Sequence, residues 1–251
     1  MTDSEILRTA LMQSAWDSGC DYEDFLKSEN RIVVSKADPR ARKYLKLPFV
    51  CDFVTYGSNI VASVSEEAKD AVSSFLSGKN PERVFEPLAI AELNRILAPF
   101  GYEAAFMGQY FLPRIDIIKP LPCGKETRFL EKGEFEHLYT EEFSNALCKK
   151  RKHLDVLCVA AYDKGKEIAL AGCSMDGEEM WQIGIDVLPE YRRQGIAVSL
   201  TSKLACEILK RGKIPFYGCA WANVKSQRNA IRAGFRPVWS QMTAGKTGTE
   251  I

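Results

Sequence analysis

An excess of charge of either sign is absent from this sequence: 34 basic residues stand against 33 acidic ones, a formal net charge of +1. Such a balance creates no overall field for nucleic acid or an anionic membrane, so any anionic partner must be held by a local site. Long apolar runs are also missing, and none approaches the length that spans a bilayer. Residues 1–8 are polar and partly acidic, unlike a secretory leader, so a cytoplasmic protein is expected. Histidine is nearly absent, with His137 and His153 alone. The eight cysteines are scattered from Cys20 to Cys219 without a C-x-x-C pair. That spacing argues against a metal site, and the cysteines read as reduced thiols, several of them small buried hydrophobes such as Cys158 between Leu157 and Val159. No internal repeat is present.

What the chain does have is core material. Apolar residues make up 46% of 251 and charged residues 27%, the balance of a globular protein with room for two domains. The first hundred residues read as an α+β unit. Ile6, Leu7, Ala10, Leu11, Ser14 and Ala15 share one face of a helix that Thr2 or Asp3 can cap. Strands are expected at 49–56 and 59–64 around Gly57 and Ser58. A helix follows from Ser65 to the stop at Gly78, another spans 87–97 before Pro99, and a strand covers 102–112. Pro113, Pro120, Pro122 and Gly124 then cluster as breakers do at a domain crossing, which places a boundary near 118 and divides the chain into 1–117 and 118–251.

Beyond the boundary a polar, helical stretch is expected over 131–152, ending in the basic run Lys149, Lys150, Arg151, Lys152 and His153. A solvated helix end is the favoured reading of that run over a phosphate contact. Three strands at 156–162, 168–174 and 180–187 form an antiparallel meander. Ile196, Leu200, Leu204 and Ile208 mark a long helix stopped by Gly212. A strand at 215–220, a helix at 224–233 and a strand at 235–239 complete the pattern.

Chemistry concentrates between the third meander strand and the long helix. Residues 188–197 make a strand-to-helix turn that carries Arg192, Arg193 and Gly195. The first N–H groups of a helix lack intrahelical partners and lie at the positive end of its dipole, so they suit phosphate oxygens. Gly195 lets the backbone approach a ligand, and Ala197 keeps the next contact small.

Arg192-x-x-Gly195-x-Ala197 resembles the Q/R-x-x-G-x-G/A acyl-CoA signature of the GNAT superfamily of N-acetyltransferases. The stretch from Trp181 to Val187 resembles the central strand of that superfamily. Asn223-x-x-Ser226 with Gly234-Phe235 resembles its second cofactor-side segment. The similarity covers about 120–240 and is strongest to bacterial members with an additional N-terminal domain. It implies an α+β fold with a mixed, mainly antiparallel sheet flanked by helices, beside a smaller N-terminal α+β domain. It also implies acetyl-CoA as acyl donor and an amine of a small molecule or protein as acceptor. The amides of Arg193, Gln194, Gly195, Ile196 and Ala197, with Arg192, would hold the pyrophosphate. Backbone groups of Ile185 and Val187 would pair with the pantetheine arm. Asn223 and Ser226 would meet the cofactor from the other side, although Asn223 also suits a helix cap.

The reaction needs a base for the amine and a donor for the departing thiolate. Base candidates are Glu178, Glu179 and Asp186, and the sequence does not choose among them. Many members of the superfamily carry a tyrosine seven residues after the position of Asn223, where this chain has Ala230. Tyr217 or Cys219 is the substitute. Trp181 and Tyr217 are candidates for shaping an acceptor pocket, packing being the stronger reading for Trp181. His137 and His153 read as surface residues. The competing function is a non-catalytic acyl-CoA-binding sensor or scaffold. Neutral charge leaves a nucleic-acid module resting only on 149–152. For the N-terminal domain, covering the acceptor cleft, holding a homodimer, and being a degenerate copy of the same fold all stay open.

Overall fold

Thr2 and Glu5 start the first helix reciprocally: the Thr2 hydroxyl accepts from the Glu5 amide at 3.2 Å, and the Glu5 carboxylate accepts from the Thr2 amide at 2.7 Å. The computed structural model describes residues 1–248. In chain order it contains α1 (Asp3–Ser18), β1 (Arg31–Val34), β2 (Cys51–Thr55), β3 (Val61–Val64), α2 (Lys69–Leu76), α3 (Pro87–Leu97), β4 (Tyr102–Pro113) and β5 (Glu126–Glu131). It continues with β6 (Asp155–Asp163), β7 (Lys166–Ser174), β8 (Met180–Val187), α4 (Ile196–Lys210), β9 (Ile214–Ala220), α5 (Val224–Arg232) and β10 (Phe235–Lys246). The residues sort into two compact units, and the chain visits each more than once. One unit holds Arg8–Tyr110, Ala220–Ala222 and the chain from Val238; the other holds Met1–Leu7, Phe111–Cys219 and Asn223–Pro237.

In the first unit the strand order is β1, β3, β2, β10, β4. β2 and β3 form the expected antiparallel hairpin, β10 pairs antiparallel with β2, and β1 pairs parallel with β3. Strand β1 is an addition to the sequence reading, because four residues of Arg-Ile-Val-Val carry too little alternation to register. Phe53, Ala62 and Val64 pack with Val72, Phe75, Leu93 and Leu97 of α2 and α3 into one core. The helix expected from Ser65 begins instead at Lys69. Ser65 first accepts the Ala68 amide through its carbonyl at 3.2 Å, closing a separate turn ahead of the helix.

A polar network is buried in this unit. The Arg42 guanidinium donates to Asp17 at 2.5 Å and to Gln241 at 3.1 Å. Gln241 in turn donates to both oxygens of Asp52 at 3.0 Å, and the Thr243 hydroxyl donates to one of them. Arg42, Asp17, Asp52 and Gln241 are all at most 3% exposed. Burial raises Asp52 to about 6, although Thr243, Gln241 and Arg42 pull it back.

In the second unit the order is β10, β4, β9, β8, β7, β6, β5. Strands β5 to β8 run antiparallel in sequence, and β9 returns parallel to β8. The sheet is therefore mixed and mainly antiparallel, as expected. Strand periodicity sends Leu157, Val159, Ile168 and Ile183 to the face covered by Leu200, Leu204 and Ile208 of α4. Cys158, Ala160 and Leu170 face the other way, against Phe135, Leu138, Phe143 and Leu147.

That second layer corrects the helix expected over 131–152. Its start belongs to β5, and the rest consists of three short 3₁₀ turns, Glu136–Leu138, Glu141–Phe143 and Lys149–Leu154. Tertiary anchors hold the segment in place of a helical ladder: the Tyr139 hydroxyl and the Cys148 amide both donate to Asp155, at 2.9 and 3.1 Å. The basic run is partly tied into the same layer. Arg151 pairs with buried Asp176, and Lys152 pairs with Glu136 at 3.2 Å.

Candidate active site

Strands β8 and β9 pair only over four residues, from Met180↔Ile214 to Ile183↔Tyr217. Beyond that pair β8 continues to Val187 and β9 to Ala220 without pairing to each other, while β8 stays paired with β7 as far as Val187↔Ala169. A slot therefore opens between two parallel strands, with the backbone of Gly184, Ile185, Asp186 and Val187 along one wall. The Ile185 and Val187 side chains pack partly buried on the α4 side.

The slot leads toward the bend before α4. A 3₁₀ turn, Pro189–Tyr191, ends in an extended Arg192, and Arg193 and Gly195 then take the left-handed conformation at φ 64° and 79°. Two such reversals direct successive N–H groups to one side, as in an anion nest. Among the described residues, the amides of Arg193, Gln194, Gly195, Ile196 and Ala197 have no protein acceptor; the first amide of the helix to find one is that of Ser199, on the Gly195 carbonyl. Residues 192–195 are exposed, whereas Ile196 is buried in the core and anchors the helix start. The Arg192 guanidinium donates to the Val187 carbonyl at 2.9 Å, tying the bend to the end of β8. Gln194 makes only a long contact with the Glu190 carbonyl, at 3.4 Å.

At the closed end of the slot sits Tyr217, which is 3% exposed. Its ring lies 6.4 Å from Phe111 and 6.3 Å from Phe235. Burial pushes the phenol above its usual range, while hydrogen bonds from Ser226 and Asn229 of α5 pull it partly back. It is therefore a neutral donor near pH 7. Asn229 is itself held by donating to Thr201 of α4 at 2.9 Å. Ala230, in the place where the tyrosine of the resemblance is missing, is fully buried between the helices and the sheet. Burial also raises the Cys219 thiol.

The other sequence candidates fall elsewhere. Asn223 caps α5, its side chain accepting from the Ser226 amide at 3.1 Å. Glu179 precedes the first residue of β8 and pairs with Lys213 at 2.8 Å. Asp186 lies seven positions further along, roughly 23 Å at about 3.3 Å per residue. Glu178 is exposed next to it. Asp186 lies beside the slot, but its carboxylate accepts the Asn145 and Ala146 amides at 2.8 and 2.9 Å and the Asn145 side chain at 2.7 Å. Trp181 is buried in the core, and its indole N–H has no partner among the described residues. His137 stands 3.5 Å from Glu167 and is exposed, as is His153.

Sequence reading missed the seat for the 139–148 segment. Gly172 and Gly184 are register partners on β7 and β8. A Cβ at Gly172 would stand 2.2 Å from the Ala146 carbonyl oxygen, and one at Gly184 would stand 1.9 Å from that of Asn145. Glycine inside a strand marks close backbone approach, and that was the available signal.

Residues 132–239 match the GNAT acetyltransferase family model. No curated protein matches the chain. Among solved structures it is similar to an acetyltransferase of the GNAT family from Novosphingobium aromaticivorans, at 18% identity over 59% of this chain and 68% of that one, with a TM-score of 0.44. A GCN5-related N-acetyltransferase-like protein from Streptococcus suis gives 17% identity over 62% and 68%, with a TM-score of 0.45. A GCN5-related N-acetyltransferase from Kribbella flavida gives 16% over 62% and 64%, with a TM-score of 0.49. Among the described residues no helix is long and apolar enough to cross a membrane. The matched range, 132–239, holds both the slot and the helix-start bend, so that part of the chain carries the similarity to GNAT acetyltransferases.

Proposed function

We propose that the chain is an N-acetyltransferase that moves an acetyl group from acetyl-CoA to an amine of a small molecule or protein. The observation that carries this reading is the slot between β8 and β9, which opens at Ile183↔Tyr217 and leads to a bend with five amides free of protein acceptors. Those amides, from Arg193 to Ala197, hold the pyrophosphate, with the Arg192 and Arg193 charges alongside. The backbone of Ile185 and Val187 receives the pantetheine arm as a strand would. Asn223 and Ser226 border the other side from the start of α5. Acetyl transfer belongs to the unit that holds the slot and the bend, and the unit built mainly from Arg8–Tyr110 has a separate role; a cytoplasmic location accompanies the reading.

Of the three catalytic candidates, Tyr217 has the supporting geometry. It is buried at the head of the slot and protonated, so it can give its proton to the departing thiolate as the amine nitrogen bonds to the acetyl carbon. Glu179 is paired and distant, and the Asp186 carboxylate is engaged by three hydrogen bonds from Asn145 and Ala146. The amine then enters as its free base, and the proton it sheds on forming the amide passes to water, from which Tyr217 regains its own.

Acetyl-CoA at about a hundredfold excess over its dissociation constant should raise the melting temperature by roughly 5 °C or more. No shift at millimolar ligand would end the proposal. Tyr217→Phe should lower kcat about a hundredfold with acetyl-CoA and leave its Kd unchanged. An acetyl thioester with a more acidic thiol should recover most of that loss, since its leaving group needs no proton. Equal losses with both donors would remove Tyr217 from the role. The engagement of Asp186 and Glu179 by other partners and the alanine at Ala230 favour a second reading, a sensor that binds acyl-CoA without transferring it. Binding without turnover across a broad amine panel would select that reading.

A further inference from the structure

Helix α5 contains no acidic residue, and its cations stand in the open. Asn229, Ala230 and Ala233 turn inward, to the core and to Thr201 of α4. The opposite stripe of the helical period therefore carries Val224, Arg228, Ile231 and Arg232, with Lys225 beside them. Lys225, Arg228 and Arg232 are exposed and form no ion pair among the described residues. Lys225 lies in the first turn, where a cation opposes the helix dipole and costs local stability. Val224 and Ile231 are 48% and 54% exposed, leaving apolar surface in water on the same face. The formal charge of the whole chain is only +1, so the stripe is a local feature. Local rules broken together in one short helix mark a surface kept for a partner. Its place in the fold is equally specific. Strands β8 and β9 run parallel, so the chain leaves both at one edge of the sheet; α4 starts there after the bend, and α5 starts there after β9. Both helices cover the same face. The first turn of α5 thus stands on the same edge as exposed Arg192 and Arg193, and from Lys225 to Arg232 the stripe runs about 10 Å at about 1.5 Å per residue.

We infer that this stripe docks an acidic protein that carries the acyl group as a thioester on its own phosphopantetheine arm, so that the slot is loaded from a carrier protein as well as from acetyl-CoA. This rests on reading the slot as the pantetheine channel. What continues beyond the arm's phosphate decides the partner. Acetyl-CoA continues into a single nucleotide with one further phosphate, which one or two cations satisfy and which offers little to aliphatic side chains two turns apart. A carrier continues into a folded protein, and an acidic helix on it would meet three cations and two aliphatic side chains along a matching length. Opposite charge steers the encounter and fixes its orientation, while Val224 and Ile231 supply the apolar contact. The chemistry is unchanged: the amine nitrogen bonds to the acetyl carbon, the C–S bond breaks, and the carrier's arm leaves as a thiol with the proton from Tyr217.

The probe is a strongly acidic carrier protein charged with acetyl-phosphopantetheine, its binding to the full chain followed by fluorescence anisotropy. Binding should be micromolar at low salt and weaken about tenfold as ionic strength rises from about 0.05 to about 0.3 M. Lys225→Gln, Arg228→Gln and Arg232→Gln should each weaken the carrier about threefold and together about thirtyfold. The melting shift given by acetyl-CoA should survive in the triple variant, because these exposed side chains hold neither the fold nor the slot. The same carrier without its arm should bind about tenfold more weakly than the loaded one. A carrier that fails to bind while acetyl-CoA still raises the melting temperature overturns the docking surface and leaves the acetyl-CoA reading standing. An equal loss of both ligands in the triple variant also overturns it, by giving the cations to the nucleotide. Anionic vesicles or single-stranded DNA binding as tightly as the carrier overturn it as a charge effect without a specific partner. No carrier binding and no melting shift overturn both readings.

Discussion

Gly195→Glu is expected to weaken acetyl-CoA binding by roughly a thousandfold while leaving the fold intact. Gly195 caps α4 at φ 79°, a conformation that costs a residue with a Cβ about 1 kcal/mol. Nothing lies within 4 Å of where that Cβ would stand, so the side chain finds space without disturbing its neighbours. The loss comes from the ligand side. A carboxylate at the helix start occupies the anion position itself, repels the pyrophosphate and re-aims the neighbouring amides. Two or three charge-assisted hydrogen bonds at about 1.5–3 kcal/mol each are at stake, and about 4 kcal/mol corresponds to a thousandfold. Gly195→Ala, which brings only the backbone strain, should lose no more than about tenfold. Calorimetric titration with acetyl-CoA measures both, and a glutamate variant that binds as tightly as the unmodified protein would show that the bend does not hold the ligand.

Arg42→Ala should destabilise the protein by about 3–5 kcal/mol, the usual cost of removing one partner of a buried ion pair. The substitution leaves Asp17 without its cation, removes the donor to Gln241 and frees a cavity beside the Tyr44 and Tyr110 rings, which lie 5.3 and 5.4 Å from the guanidinium carbon. The loss should also depend on pH. Asp52 titrates at about 6 in the folded chain, above the ordinary carboxylate value near 3.9, so its contribution is fully present below that ordinary value and is lost as pH rises through 6. Arg42 holds Asp52 down; without it the carboxyl rises further and the penalty at neutral pH grows. Urea unfolding should therefore show stability falling from pH 5 to 7 in the parent and falling more steeply in Arg42→Ala. A pH-independent difference between the two would break the link between Arg42 and Asp52.

Elements with strong local signals were legible from the residues alone. β8 and α3 have the predicted bounds, and α4 begins at the predicted residue, because the apolar periods of Met180–Val187 and Ile196–Lys210 and the prolines around α3 act over neighbouring residues. Segments whose order depends on distant partners were not. The residues between β5 and β6 read as a polar helix, yet Phe135, Leu138, Phe143 and Leu147 recur irregularly and are held by Asp155 and Asp186 from other strands. The roles of Asp186 and Glu179 were undecidable for the same reason: both are carboxylates at either end of one strand, and only their partners, Asn145 and Ala146 for one and Lys213 for the other, distinguish them.

The order of residues determined by itself that an arginine-bearing turn with Gly195 stands between a strand and an amphipathic helix, because helix starts, turns and apolar periods are written in adjacent positions. Tertiary structure alone decided that β8 and β9 part after Ile183↔Tyr217, that Tyr217 meets Ser226 and Asn229, and that Asn145 sits over Gly184. Strand register and the packing of one backbone on another depend on residues tens of positions apart, whose mutual placement is settled only when the whole sheet has closed around its core.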